Sequence, residues 1–207
     1  MSRVEDALAS MGLSVPDVAK PVAVYIPAVR ETFEESGVLL AGPSADAVVA
    51  DTTTDDWEAD RVALEGRELS LTQFLNRRGL VLRSDLLGAW AGWLTPSFEP
   101  RRYRTWFFVA DLPEGQRTRD VSTESSDVTW LPARDAVAAV DEDRIFMLPP
   151  TYLTCLEVSE YADPDAVLVA AADRVVEMFT PELTRTGEDV TLSRPAHLEP
   201  VIERHLS

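Results

Sequence analysis

Three glutamates in one short segment are the residues of this sequence best suited to chemistry. Residues 30–38 read RETFEESGV, so Glu31, Glu34 and Glu35 stand at positions i, i+3 and i+4. An α-helix turns by about 100° per residue, and the three side chains would lie within an arc of roughly 100° on it. Carboxylates packed so closely repel one another unless a positive charge sits among them. Oxygen donors suit Mg²⁺ or Mn²⁺, and the spacing therefore predicts a divalent-cation site. The alternative is a solvated acidic helix face.

A helix must carry these acids, and the flanking residues indicate where it begins and ends. Val29 and Phe33 would point away from the glutamates, into a core. Pro27 suits the first turn of such a helix, and Gly37 suits its end. The apolar residues 22–26 before it predict a short strand.

Alternating helix and strand signals along the chain predict an α/β or α+β domain with a mixed sheet. A helical insert over about residues 55–79 would begin at an Asp55 or Asp56 cap and end at Gly79, with Ser70 capping its second helix. The other predicted elements are a helix over 2–11, strands near 89–94, 103–112 and 128–131, and helices over 134–140, 151–161 and from Asp163 or Asp165 to about 178.

The composition limits the partners and the compartment. The 207 residues include 36 acids and 19 bases, a formal net charge of −17. Nucleic acids and anionic membrane surfaces bind through Lys and Arg, so neither is an expected partner. A small phosphorylated ligand stays possible because a bound cation reverses the local charge. A single cysteine, Cys155, permits no intrachain disulfide, and no segment is long enough for a membrane span. We therefore expect a soluble cytoplasmic protein.

Two further residue types carry no signal for a metal site. Cys155 lies among apolar residues of a predicted helix and is expected in the core. His197 and His205 lie in the polar carboxyl-terminal region and show no metal-ligand spacing.

The segment 30–38 resembles the second half of the Nudix box, Arg-Glu-U-x-Glu-Glu-x-Gly-U, in which U is a bulky aliphatic residue. Thr32 occupies the first aliphatic position, and six fixed positions match: Arg30, Glu31, Glu34, Glu35, Gly37 and Val38. Further similarity runs through residues 93–96, 99–103, 107–110, 130–131 and 147–151. Over roughly residues 28–178 the chain resembles the bacterial Nudix proteins that are similar to the peroxisomal and mitochondrial coenzyme A diphosphatases.

The resemblance implies a Nudix α/β/α sandwich and a Mg²⁺- or Mn²⁺-dependent hydrolase acting on acid anhydrides. Water would attack a nucleoside diphosphate linked to another group, with the metal neutralising charge on the diphosphate. Glu31, Glu34 and Glu35 would hold the metal, one of them also assisting as base. Arg30 would orient Glu31 through an ion pair. Glu124 is similar to an additional loop glutamate of some members, and its alternative is a solvated loop acid.

The substrate that the resemblance implies is a small-molecule nucleoside diphosphate derivative, with coenzyme A or an acyl-coenzyme A as the candidate. Arg101 and Arg102 are candidates for contacting its phosphates. The favoured alternative is that both arginines pair with some of the 36 acids.

The first half of the box, Gly-x5-Glu, is not matched. At the common spacing its positions are Pro16 and Val22, and residues 1–29 contain only Gly12 and Glu5 of these two types. The expectation is that the amino-terminal third of a usual member is missing or replaced, together with the first strands of the sheet. An exposed sheet edge would favour self-association, such as a homodimer.

Three functions are therefore open: a Nudix hydrolase, a catalytically impaired Nudix-derived binding or interaction protein, and a cation-binding acidic helix in an unrelated fold. The expected organisation is an atypical segment over residues 1–27, a Nudix-like domain over 28–180 and a loosely attached polar tail over 181–207.

Overall fold

The structure is a computed structural model, and it describes residues 22–121, 129–186 and 189–207. These residues form two compact units. The first contains the described residues up to Leu87 together with 112–121, and the second contains residues 88–111 and those from Thr129 onward. Within the described ranges, no helix is both long and apolar enough to cross a membrane. The helix expected over residues 2–11 lies outside the described residues.

The first unit is mainly helical. Helix α1 (Val22–Ser36) is followed by strand β1 (Ala41–Gly42), helices α2 (Asp55–Glu65) and α3 (Leu71–Arg78), strand β2 (Val81–Leu82) and a 3₁₀ turn over Ser84–Leu86. Strands β1 and β2 pair antiparallel, with Ala41 opposite Leu82.

Helix α1 begins earlier than the sequence predicts. The strand expected over residues 22–26 is instead the first part of the helix, and Pro27 lies inside it. An interior proline removes one backbone hydrogen bond and costs about 3 kcal/mol. Tyr25, Val29 and Phe33, spaced by four residues, are all buried. Burying three large side chains on one helix face, at about 1.5–3 kcal/mol each, offsets that cost.

The two helices of the predicted insert form largely as expected. Ser70 caps α3 in a reciprocal capping box with Gln73, and Gly79 ends that helix with φ of +64°. Helix α2 differs by one residue at its start, because Thr54 occupies the N-cap position and Asp55 and Asp56 lie in the first turn. Acids in that turn still interact favourably with the helix dipole.

The second unit is built around a three-stranded mixed sheet. Its central strand β3 (Gly88–Leu94) pairs antiparallel with β4 (Arg104–Val109) and parallel with β5 (Met178–Phe179). The register of β3 and β4 is irregular between Ala89 and Ala91. This mixed sheet with interspersed helices confirms the predicted fold class.

Helices pack on this sheet through an aromatic and aliphatic core. They are α4 (Ala133–Asp141), α5 (Pro149–Val158) and α6 (Pro164–Ala172). Trp93 of β3 shares one buried cluster with Leu153 and Leu156, and Trp90 shares another with Val167 and Ala171. Cys155 packs against the first cluster, as predicted.

The carboxyl-terminal region is the largest difference from expectation. It contains a hairpin of β6 (Leu183–Thr186) and β7 (Asp189–Leu192), a 3₁₀ turn over Ala196–Leu198 and helix α7 (Glu199–Leu206). Leu198 and Ile202 are buried in the cluster around Trp93. The tail is therefore attached through the core, because Leu198 and Ile202 are buried there.

Two further expectations are wrong. Residues 129–132 form no strand. Trp130 is 69% exposed and does not pack in the sheet. The helix expected to run to residue 178 ends at Ala172, and Met178, its last predicted residue, lies in β5.

Candidate functional site

The three glutamates of the sequence motif lie on the second half of helix α1 but differ in burial. Glu31 and Glu35 are exposed, whereas the Glu34 side chain is only 13% exposed. Val29 and Phe33 are fully buried on the opposite side. The helix therefore has an acidic face and a core face, as its periodicity predicts.

Arg30 pairs with two of these acids. Its Nε atom lies 3.2 Å from Oε1 of Glu34, and its Nη2 atom lies 3.8 Å from Oε1 of Glu31. The guanidinium is thus closer to Glu34 than to Glu31, the partner expected from the resemblance. A guanidinium between two carboxylates reduces their mutual repulsion.

Glu34 is electrostatically unusual. Burial raises its pKa above the ordinary value of 4.5, Arg30 opposes that rise, and the negative charges of Glu31 and Glu65 add to it. Its Oε1 atom is buried and makes no hydrogen bond to any described residue. The Nε atom of Arg30 lies 3.2 Å from this oxygen but makes no hydrogen bond to it, so the oxygen can still accept a bond from a further positive ligand.

The donor set has the chemistry of a site for a hard divalent cation, since carboxylate oxygens are the ligands that Mg²⁺ and Mn²⁺ prefer. The side chains are not, however, placed close enough together to form a complete metal site. Among residues 22–121, 129–186 and 189–207, no group of three or more His, Cys, Asp or Glu side chains is placed to hold a metal ion. Glu31, Glu34 and Glu35 therefore remain candidate ligands, and Glu124 lies outside the described residues.

The last turn of α1 is fixed by residues from other parts of the first unit. The carbonyl of Glu34 accepts a hydrogen bond of 2.5 Å from Nη1 of Arg61, and the carbonyl of Ser36 accepts one of 2.9 Å from the backbone N–H of Arg119. The Thr52 hydroxyl donates to the carbonyl of Gly37 at 2.7 Å. These bonds satisfy carbonyls that the end of a helix leaves without intrahelical partners.

The segment that follows the helix is held in the same way. The side-chain amide of Gln116, which is buried, accepts a hydrogen bond from the N–H of Leu39 at 2.8 Å and donates to its carbonyl at 2.9 Å. Gly37 has φ of +73°, and a Cβ atom there would lie 2.7 Å from Nη2 of Arg119. The backbone conformation therefore favours glycine at this position, and a Cβ atom would also displace the Arg119 guanidinium.

Sequence reasoning missed these supporting residues. Only the spacing of Glu58, Arg61 and Glu65 on one helix carried a signal, because oppositely charged side chains three or four positions apart tend to pair. Nothing local connects Thr52, Gln116 or Arg119 with the glutamates.

The other predicted site residues lie in the second unit. Arg101 and Arg102 are exposed on the loop between β3 and β4, and Nε of Arg102 donates to the carbonyl of Thr95 at 2.8 Å. Neither arginine forms an ion pair with an acid in the part of the chain that the structure describes, so the pairing favoured as their alternative is not seen there.

A cavity of about 450 Å³ also lies in the second unit, and none of the predicted site residues lines it. Its wall combines the end of β4 with the ends of three helices, and includes Phe108, Tyr161, Val167 and Leu168.

Both histidines pair with carboxylates: His197 with Glu157 at 3.6 Å and His205 with Asp141 at 2.8 Å. No role in metal binding is indicated for either.

Comparison with known proteins agrees with the motif on α1. The sequence model of the NUDT19 Nudix domain matches residues 6–157, well over half of the chain. An acyl-coenzyme A diphosphatase NUDT19 from Xenopus laevis is 27% identical over 153 residues, covering 68% of this chain and 40% of that protein. The protein of the same name from Gallus gallus is 25% identical over 175 residues, covering 75% and 46%.

A putative nudix hydrolase 7 from Caenorhabditis elegans is 25% identical over 145 residues, covering 68% of this chain and 45% of that protein. The chain thus spans less than half the length of these curated relatives.

A solved structure shares the fold. The crystal structure of a Nudix hydrolase from Alicyclobacillus acidocaldarius superposes with a TM-score of 0.61 at 24% identity, covering 72% of this chain and 65% of that one. The mixed sheet and these matches contradict the alternative of an acidic helix in an unrelated fold. Taken with the Arg30–Val38 motif, the match over residues 6–157 shows that this chain belongs to the NUDT19 Nudix domain family.

Proposed function

We propose that this protein is a metal-dependent hydrolase that cleaves a diphosphate linkage in a small nucleoside diphosphate derivative. The observation that carries the proposal is Glu34, whose buried Oε1 lies 3.2 Å from Arg30 Nε but makes no hydrogen bond to a described residue, within the acidic half of a Nudix box. Nudix hydrolases generally use divalent metals such as Mg²⁺, and Mg²⁺ or Mn²⁺ is the proposed cofactor.

In this proposal, Glu31, Glu34 and Glu35 bind the cation, with Glu124 as a further candidate ligand. A bound divalent cation would neutralise charge on the diphosphate and lower the pKa of the attacking water. Glu31 or Glu34 would accept a proton from that water, and Arg30 holds Glu34 and Glu31 in place through its two ion pairs. Arg101 and Arg102, both exposed, are proposed to contact substrate phosphates.

Coenzyme A or an acyl-coenzyme A is the proposed substrate class. The support is the name acyl-coenzyme A diphosphatase carried by two relatives at 25–27% identity. A cytoplasmic location and a homodimer are further proposals.

The test is hydrolysis by the purified protein with Mg²⁺ or Mn²⁺, using coenzyme A, acetyl-coenzyme A, ADP-ribose, NADH and a nucleotide sugar. We expect two phosphate monoesters from coenzyme A, with ¹⁸O from labelled water in one of them. Glu34→Gln and Glu35→Gln should lose activity, whereas Glu68→Gln, an exposed glutamate of the same unit, should keep it. The proposal is wrong if no product is released from any of these substrates with either metal. It is also wrong if turnover is seen but neither Glu34→Gln nor Glu35→Gln reduces it.

A second candidate is a nucleotide-binding protein without catalysis. It is favoured by the unmatched Gly-x5-Glu half of the box and by the lack of a three-ligand group among the described residues. Calorimetry would then detect binding of a substrate that is recovered intact after incubation with metal. Turnover sensitive to Glu34→Gln would exclude this candidate.

A further inference from the structure

Arg61 is a nearly buried arginine whose position at the end of helix α1 the proposed mechanism does not use. Its side chain is 5% exposed, and its Nη1 atom donates to the backbone carbonyl of Glu34. We propose that helices α2 and α3 hold the glutamate-bearing turn of α1 in its working geometry, and that Arg61 is the positioning residue. The catalytic consequence rests on the proposed function, whereas the structural consequence does not.

The guanidinium of Arg61 is itself held by two carboxylates. Its Nε and Nη2 atoms donate to Glu58 at 2.8–3.1 Å, and Nη1 donates to Glu65 at 3.0 Å. The pKa of Glu58 is lowered, chiefly by its hydrogen bonds with Arg61. A planar guanidinium with fixed donors can satisfy two carboxylates and a carbonyl at once, which a lysine ammonium cannot do with the same geometry.

The bond to Glu34 matters because of its place in the helix. Glu34 lies in the last turn of α1, where carbonyl groups have no intrahelical partner, and a cation there also interacts favourably with the negative end of the helix dipole. Without this partner the end of the helix keeps the bonds from Arg119 and Thr52, but the carbonyl of Glu34 is unsatisfied and the last turn frays more readily. Glu34 and Glu35 both lie in that turn, so fraying would change the distance between their carboxylates.

Arg119 extends the same support beyond the helix. Its Nη1 atom lies 2.7 Å from Glu58, which also binds Arg61, and its Nη2 atom donates to the carbonyl of Thr52 at 3.2 Å. The backbone N–H of Arg119 meanwhile caps the carbonyl of Ser36. One acid on α2 therefore joins both arginines that bind the end of α1.

An apolar contact holds the other side of α1 to the same two helices. Phe33 stacks on Phe74 of α3 with centroids 5.5 Å apart and meets Trp57 of α2 edge-on at 6.4 Å. Trp57 and Phe74 also contact each other at 6.0 Å. Phe33 lies between Glu31 and Glu34 in the sequence, so this cluster fixes the rotation of α1 while Arg61 fixes its end.

The test compares Arg61→Gln and Arg61→Lys with Arg83→Gln. Arg83 is a matched control because its side chain is 11% exposed, pairs with Asp85 and donates to the carbonyl of Ala47 within the same unit, and neither of these partners belongs to α1. Three measurements are made on each protein: Mn²⁺ affinity by electron paramagnetic resonance, kcat and KM separately, and hydrogen exchange of the amides of residues 35–37.

For Arg61→Gln we expect Mn²⁺ affinity to fall about tenfold or more and kcat to fall with little change in KM, since metal geometry rather than substrate binding is disturbed. Amides 35–37 should exchange faster. Arg61→Lys should restore part of each property, and it replaces Arg61→Gln if that variant does not fold. Arg83→Gln should leave all three measurements near those of the wild type.

The inference is overturned if Arg61→Gln matches the wild type in exchange and Mn²⁺ affinity, or if Arg83→Gln changes them equally. If the wild-type protein shows no turnover, only the proposed function is contradicted. The exchange of residues 35–37 would still decide whether Arg61 positions the helix end.

Discussion

Glu34 is the most buried of the three glutamates, and its burial has an energetic consequence. Because its pKa is raised in the folded protein, its ionised form opposes folding once the pH exceeds its ordinary value of 4.5. The stability cost is absent well below that pH and grows as the pH rises through the raised value. A carboxylate whose ionisation lowers the stability of the folded protein is typical of functional sites.

We therefore expect Glu34→Gln to stabilise the metal-free protein at pH 7 by roughly 0.5–2 kcal/mol, the usual gain at a single favourable site. The difference from wild type should shrink when both are measured near pH 4, where Glu34 is protonated. Urea unfolding in the presence of EDTA at the two pH values measures this. Glu68→Gln, an exposed control, should change stability by less than about 0.5 kcal/mol at either pH. A destabilised Glu34→Gln at pH 7 would contradict the expectation.

Gly37 allows a second prediction at this scale. Gly37→Ala places a side chain at φ of +73° and a Cβ atom 2.7 Å from the Arg119 guanidinium. Gly79→Ala is the matched control, since its φ is +64° but no heavy atom lies within 4 Å of the added Cβ.

Both alanine variants incur the cost of a left-handed conformation, about 1–2 kcal/mol. Gly37→Ala should lose more, because Arg119 must also move away from the end of α1. Midpoints of urea unfolding compare the two variants directly. Equal losses would mean that Arg119 adjusts without cost.

At the scale of elements, the first unit depends on the packing of α1 against α2 and α3. The predicted insert over residues 55–79 contributes Trp57 and Phe74 to one aromatic cluster with Phe33. Arg78 also lies over the Trp57 ring, with its guanidinium carbon 3.6 Å from the ring centroid. The insert thus covers the core face of the helix that bears the glutamates.

Phe74→Ala should destabilise the protein by about 3–5 kcal/mol, since Phe74 is fully buried and its removal leaves a cavity beside Phe33. Phe98→Ala is the control, because that side chain is 52% exposed on a loop and its loss should change stability by less than about 0.5 kcal/mol. Thermal unfolding followed by circular dichroism checks both. A small effect of Phe74→Ala would mean that α3 is not needed to hold α1.

At the scale of the whole chain, its carboxyl-terminal residues belong to the core of the second unit. Leu198 and Ile202 join Trp93, Leu153 and Leu156 in one buried cluster. His205 of α7 also pairs with Asp141 of α4, and Tyr152 of α5 donates to the same carboxylate at 2.7 Å. Burial and this hydrogen bond raise the pKa of Tyr152 to about 12.

Ile202→Ala should therefore destabilise the protein by about 2–5 kcal/mol, the usual cost of truncating a buried isoleucine. Leu206→Ala, on the same helix but 77% exposed, should have little effect. Chemical denaturation of the two variants makes the comparison. If Ile202→Ala is as stable as the wild type, the tail is loosely attached, as the sequence predicted.

The sequence by itself determined the features that depend on neighbouring residues. The spacing of Glu31, Glu34 and Glu35 predicted an acidic helix face, and Gly37 was correctly placed at its end. The Ser70 cap is a similar case, because its partner Gln73 is three residues away. The family was also contained in the sequence, since a motif is a set of residue types at fixed spacing.

Only the tertiary structure decided how those features are supported. The start of α1 depended on burial that outweighs an interior proline, and residues 129–132 did not join the sheet despite their aromatic character. The bond from Arg61 to Glu34 and the bond from Arg119 to Ser36 join residues separated by 27 and more positions. Such contacts form because packing brings distant segments together, and no local pattern of residue types encodes that arrangement.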